Sequence, residues 1–182
     1  YNHVTGVVEL PAKPVILTFD DGYENIYTHA LPLLSEHSEP NFFGVTHIIT
    51  DWVADDEASR KNNDWDSDPN GPEPVTAHMI WPEVAELYDA GWAVEAHSRT
   101  HRHLSGLSYA ERVYEAGARD VIAAKLGIPE PNFYSYPFNE SDANLVAILQ
   151  GTGYLGAADA SGGIENTTTV DIFHIKRIGI MR

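Results

Sequence analysis

The chain has 182 residues, 43 % of them hydrophobic, which allows one domain of ordinary size with a real core and rules out wholesale disorder. Asp and Glu number 27 against 11 Lys and Arg, a formal charge of −16, which argues against phosphate backbones and anionic membrane surfaces as partners. There is no cysteine, so disulfides, thiolate zinc sites and a cysteine nucleophile are excluded, and no apolar run reaches the roughly 20 residues of a membrane-spanning helix. The acidic surplus reads either as a solubilising surface or as attraction for a cationic polymer, and composition does not choose between them. No signal peptide opens the chain, which begins Tyr1-Asn2-His3; a trimmed mature domain begins the same way, so a cytoplasmic location does not follow.

Val15–Phe19 is a short β-branched run between Pro14 and Asp20-Asp21-Gly22, and predicts the first strand. Residues 24–37 predict a helix with Ile26, Ala30, Leu33 and Leu34 on one face, followed by a strand over Asn41–Ile49. Residues 51–76 are acidic and rich in Asn, Gly and Pro, and predict a surface insertion. Trp81–Ala90 is a helix closed by Gly91, and Trp92–Ala96 a strand. Ser108 and Glu111 form a capping box for a helix running to about Leu126, stopped by Gly127. Asn132–Tyr136 is a strand ended by Pro137, Ser141 caps a helix through Gln150, and Tyr154–Ala158 is a strand. A last strand lies within Phe173–Met181.

Strands alternating with helices predict an α/β fold with a largely parallel sheet. Parallel strands point one way, so the groups that follow them, Asp20-Asp21, His97, Pro137-Phe138 and Asp159, gather on one face. Sites in such folds form at the carboxyl ends of the strands. His97 and His101 are four apart, which on a helical turn puts both imidazoles on one side; alone, such a pair is more often structural. Asp21 adds a carboxylate and completes a three-ligand set that leaves positions open for water and substrate. Asp20 then remains as a base for metal-bound water, although an Asp-Asp-Gly turn by itself fits a helix N-terminal cap equally well. His103 is six residues from His97 and reads as solvent-exposed.

Thr18-Phe19-Asp20-Asp21-Gly22, His97-Ser98-Arg99-Thr100-His101 and Tyr136-Pro137-Phe138 resemble the polysaccharide deacetylases of carbohydrate esterase family four, with their NodB-type homology domain. The stretch from Trp81-Pro82-Glu83 through Leu87 and Gly91 to Glu95-Ala96-His97 is also similar, and the resemblance runs from Val15 to Arg182. It implies that residues 1–182 form a single domain, a distorted, incomplete (β/α) barrel holding one divalent ion. Zinc is the usual ion, with cobalt, nickel or iron(II) as alternatives. Carried over, Asp20 is the base, Asp21, His97 and His101 are the metal ligands, and the backbone amide of Phe138 helps hold the oxyanion.

Two positions depart from the family's pattern. Many members brace the catalytic aspartate with an arginine where this chain has Ser135; Arg177 is the candidate substitute. The family's late histidine acts as general acid, and His174 is the candidate in that region. The resemblance implies removal of acetyl groups from N-acetylated amino-sugar polymers (chitin-like, peptidoglycan or poly-N-acetylglucosamine), with a lean toward the β-1,6-linked polymer. It further implies an extracellular or envelope-associated domain; a monomer is the expectation for its oligomeric state, which the sequence does not fix. An O-acetyl esterase acting on xylan uses the same ligands and stays open, as does an inactive carbohydrate-binding domain. Asp66–Gly71 fits the front half of a calcium loop but lacks its closing Glu, since Ala77 stands there; a solvated acidic loop is the plainer reading. Trp52, Trp65 and Trp81 are candidates for stacking on sugars.

Overall fold

The computed structural model describes residues 14–36, 42–62, 77–166 and 168–180. Six strands, β1 (Thr18–Phe19), β2 (Val45–Ile48), β3 (Ala93–Ala96), β4 (Phe133–Ser135), β5 (Gly156–Asp159) and β6 (Ile175–Lys176), form one sheet. Every neighbouring pair is parallel and the spatial order is the chain order, β1 to β6. An order that never reverses winds the sheet in one direction, as in a barrel, whereas a doubly wound sheet reverses at a switch point. No ladder joins β6 back to β1 among the described residues. Instead Arg177, one residue past β6, bonds Thr18 Oγ1 in β1 (3.2 Å). The sheet therefore curls until its edges meet through a side chain: an incomplete (β/α) barrel, as expected.

Helices α1 (Leu31–Glu36), α2 (Trp81–Asp89), α3 (Tyr109–Ala116), α4 (Ala118–Leu126) and α5 (Ala143–Gly151) cover the sheet. Val84, Leu87, Ile122, Leu145 and Leu149 pack onto Ile48, Val94, Ala96, Tyr134 and Ala157 of the strands. Three local expectations are corrected. The first helix opens with a π-helical stretch, Ile26–Ala30. The helix expected over 108–126 is two helices, because Gly117 breaks it: its N–H bonds both Val113 O and Tyr114 O (3.1 Å each), closing α3 before α4 begins. Glycine's weak helix propensity makes that the cheapest place to turn. The cap of α5 is Asp142 rather than Ser141, its Oδ1 accepting from Leu145 N (2.8 Å).

The segment expected as a surface insertion at 51–76 is built into the fold over its first part. Val53 and Ala54 are each 5 % exposed, and Ala54 bridges Ile80. Arg60 bonds Glu83 through Nη1 (2.9 Å) and Nη2 (2.8 Å), and His78 N bonds Lys61 O (2.9 Å). Residues 63–76, with Trp65 and the calcium-loop-like Asp66–Gly71, lie outside the described residues.

Candidate metal centre

Among the described residues, five non-glycine residues have positive φ: Asp21, Ser98, His101, Phe138 and Asn139. All five follow strand ends on one face. Such backbone costs on the order of 1–3 kcal/mol per residue and persists only where surrounding contacts enforce it. At Asp21 (φ 71°) and Gly22 (φ 75°), Met79 N bonds Gly22 O (2.9 Å) and Glu24 N bonds Ala77 O (2.8 Å). His78 Nδ1 lies 3.2 Å from Asp21 O. A Cβ at Gly22 would also stand 3.1 Å from Ile48 Cγ2, so glycine is required there twice over.

His97 is buried at the end of β3. Its Nδ1 is 2.8 Å from the carbonyl oxygen of Ser135, which can only accept, so Nδ1 carries the proton and Nε2 presents a lone pair. His101 reaches the same point by a route the spacing did not foresee. Residues 97–101 are not helical; they form a turn with Ser98 at φ 64° and His101 at φ 57°. The turn is held by Ser98 Oγ, which accepts from His101 N (3.0 Å). The buried Glu115 carboxylate holds it as well, accepting from Arg99 N and Thr100 N (2.9 Å each) and from Thr100 Oγ1.

The two Nε2 atoms are 3.1 Å apart, and they lie 3.3 Å (His97) and 3.4 Å (His101) from Asp21 Oδ1. Asp21 Oδ1 is buried and receives no hydrogen bond. Tetrahedral ligands at about 2.1 Å from a zinc ion stand about 3.4 Å from one another, so the three donor atoms are spaced for a cation of that size. Burial and the neighbouring His97 push His101 down to about 4, which keeps it neutral, as an imidazole ligand has to be. Burial would lower His97 too, but Asp20 and Asp21 outweigh it and leave it raised.

Asp20 stands beside this cluster. Its Oδ1 and Oδ2 accept from Arg177 Nη1 (2.8 Å) and Nη2 (2.7 Å), a bidentate pair, and Oδ2 also accepts from Ser135 Oγ (3.0 Å). Arg177 Nη2 donates to Ser135 Oγ in turn (2.7 Å), which leaves the hydroxyl hydrogen to point at the carboxylate. Burial raises the Asp20 carboxyl, but His97, His47 and Arg177 together hold it well below the usual carboxylate range. Arg177 thus occupies the bracing place for which it was the candidate, with Ser135 as its partner. His47 on β2, its Nδ1 3.1 Å from Asp20 Oδ1, is a neighbour the sequence did not single out.

The remaining site expectations divide. Phe138 lies at the rim in a left-handed turn (φ 55°, ψ 17°), with its ring 4.7 Å from that of His101. His174 Nδ1 pairs with Asp171 Oδ2 (2.9 Å), and its ring faces that of Tyr136, two residues before Phe138, at 6.1 Å. His103 is exposed, as expected, yet is stacked on Phe138. Trp52 borders the site, 5.9 Å from the His101 ring, whereas Trp81 is a core residue, 7 % exposed. His47, His78 and Glu115 were not found from sequence, because each acts across a tertiary contact and none belongs to a short motif.

Residues 8–157 match the family model described as polysaccharide deacetylase. Among curated proteins, the poly-beta-1,6-N-acetyl-D-glucosamine N-deacetylase of Escherichia coli strain K12 is 21 % identical over 183 residues, covering 89 % of this chain. The chain spans only 27 % of that relative's length. Among solved structures, the Streptococcus pyogenes deacetylase PplD in complex with acetate superposes with a TM-score of 0.75 at 20 % identity, over 95 % of this chain and 67 % of that one. IcaB from Ammonifex degensii gives 0.73 at 18 % (96 % and 70 %), and a family 4 carbohydrate esterase from Streptomyces lividans in complex with acetate gives 0.57 at 22 % (80 % and 60 %).

Proposed function

Because the chain belongs to the polysaccharide deacetylase family, we propose that it hydrolyses the N-acetyl groups of an amino-sugar polymer at the Asp20–Asp21–His97–His101 cluster. The observation that carries this reading is the convergence of Asp21 Oδ1 and the two Nε2 atoms beside a separate carboxylate fixed by Arg177. Asp21, His97 and His101 would hold one divalent ion, zinc being the first candidate for two imidazoles and a carboxylate. Such an ion supplies Lewis acidity toward an acetyl carbonyl and acidifies a water molecule.

The rest falls to the protein. Asp20 takes the proton from the attacking water, and Arg177 and Ser135 keep the carboxylate ionised and correctly turned. The backbone N–H of Phe138 is assigned to the oxyanion that forms as water oxygen bonds the acetyl carbon. The carbon–nitrogen bond then breaks, acetate leaves, and the sugar nitrogen takes a proton. We assign that proton to Asp20, which returns what it accepted, with His174, whose Nδ1 pairs with Asp171, the other candidate donor through Nε2. A polymer of this class lies outside the cytoplasm, so we place the domain at the cell envelope or beyond it.

The name of the curated relative makes the β-1,6-linked polymer the first substrate to try. Acetate release should be compared on poly-β-1,6-N-acetylglucosamine, chitooligosaccharide and acetylated xylan, with zinc-loaded and chelated protein. Zinc-dependent release from an amino-sugar polymer is expected. Release from xylan alone would move the assignment to an O-acetyl esterase, and release from none would overturn it.

A further inference from the structure

The three candidate ligands are not aimed in the same way. His97 is turned by the Ser135 carbonyl, and His101 by a turn that Ser98 and Glu115 hold. Asp21 Oδ1 receives no hydrogen bond, so what aims it is the backbone beneath it. That backbone is left-handed at Asp21 (φ 71°), which an aspartate keeps only under constraint, and left-handed again at Gly22 (φ 75°). The peptide plane between the two carries the Asp21 carbonyl. Holding that carbonyl fixes ψ of Asp21 and φ of Gly22 together.

His78 Nδ1 reaches that carbonyl at 3.2 Å. A carbonyl only accepts, so Nδ1 carries the proton. His78 is fully buried, and its own backbone is anchored away from the Asp21 loop. Its N–H donates to Lys61 O (2.9 Å), and its carbonyl accepts from Arg60 Nη1 (2.9 Å), a guanidinium held in turn by Glu83. Two rings set the plane of the imidazole: Tyr23, with centroids 4.9 Å apart and 32° between planes, and Trp52, edge-on at 5.0 Å and 74°. Met79 N to Gly22 O (2.9 Å) and Glu24 N to Ala77 O (2.8 Å) tie the flanking residues of the two segments together. Filling space asks for a ring at this place; it does not ask for a donor directed at a ligand residue's own carbonyl.

Resting on the metal-centre reading proposed above, we infer that His78 is a positioning residue for the metal centre: its Nδ1–H holds the peptide plane after Asp21, and with it the place of Asp21 Oδ1 opposite the two Nε2 atoms. His78 acts through Asp21 and is not itself a ligand.

Ring and donor can be separated by substitution. His78→Phe keeps a ring against Tyr23 and Trp52 and removes the donor, whereas His78→Asn puts an amide N–H near the place of Nδ1 and gives up the ring. Zinc affinity is measured by competition with a chelating dye, and thermal unfolding on the same proteins without metal. His78→Phe should bind zinc about 10-fold more weakly than the unmodified chain. His78→Asn should bind zinc more tightly than His78→Phe does, although it unfolds at the lower temperature. Equal zinc affinities in the two variants, or the reverse order, overturns the role, because zinc binding would then not follow the donor. A second measurement needs no variant: two-bond proton–nitrogen NMR spectra of the unmodified, metal-free chain should show the His78 ring protonated at Nδ1, and a proton on Nε2 alone overturns the inference. Acetate release is read separately. Zinc affinities in the expected order without acetate release would sink the catalytic reading and leave His78 in its role. Acetate release with equal zinc affinities in both variants would do the opposite, and a chain that takes up no zinc would overturn both.

Discussion

At Asp20 a single carboxylate meets Arg177 from beyond β6, Ser135 from β4 and His47 from β2. Three strands converge on it, which is more than a helix cap needs. Asp20→Asn preserves shape and leaves Asp21, His97 and His101 untouched, so zinc content should stay at one equivalent while kcat falls by about 10²–10⁴. Metal analysis and acetate release on the same preparation check both halves. Arg177→Met removes one of the groups that, with His97 and His47, hold Asp20 low. The carboxyl should then titrate higher, so the acid limb of kcat/KM should move to higher pH, a shift that follows from the sign of the Arg177 interaction. An acid limb at the same pH in both proteins would show that Arg177 does not set the state of Asp20. Arg177→Lys keeps charge without the fork and should recover only part of the loss.

At the scale of the element, the turn that carries His101 rests on α3. Glu115, buried, accepts from Arg99 N, Thr100 N and Thr100 Oγ1, and so fixes a turn whose φ values are unfavourable. Glu115→Gln retains one acceptor oxygen and loses the charge, and zinc affinity should drop by about 10–100-fold, read by competition with a chelating dye. A lower melting temperature with unchanged zinc affinity would count against this role. Asp142 both caps α5 and binds Arg112 Nη1 (2.8 and 2.7 Å), so Asp142→Ala should cost on the order of 1 kcal/mol in thermal unfolding. These elements also mark what was legible in the sequence. Asp20, Asp21, His97 and His101 could be read because they sit in short motifs at the ends of apolar runs. The helical turn inferred from the His97–His101 spacing was not there, since Glu115 and Ser98 impose left-handed backbone that no periodicity encodes. The burial of Val53 and Ala54 is likewise decided by packing, which overrode an acidic loop composition, whereas the break at Gly117 is local, a glycine inside an otherwise unbroken helical pattern.

Over the whole molecule, a largely parallel α/β sheet was legible as alternation of strands and helices and the incomplete barrel followed from the family resemblance, but the strand order and the Arg177–Thr18 bond that joins the sheet's edges were not legible, because they are settled by tertiary contacts. Arg177 ties Thr18 and Asp20 across 159 and 157 residues of sequence, whereas the three candidate metal ligands among the described residues lie between Asp21 and His101. The two halves of the chemistry are thus completed at different times as the chain leaves the ribosome. All three candidate ligands have emerged once His101 is made, and their supports Glu115 and Ser135 soon after, but Asp20 acquires Arg177 only when β6 has paired and a separation of 157 residues closes, the slowest class of contact to form. A chain clipped before Arg177 keeps the three candidate ligands with their Ser135 and Glu115 supports but leaves Asp20 without its guanidinium, so it should still take up zinc while its acid limb moves to higher pH, as in Arg177→Met.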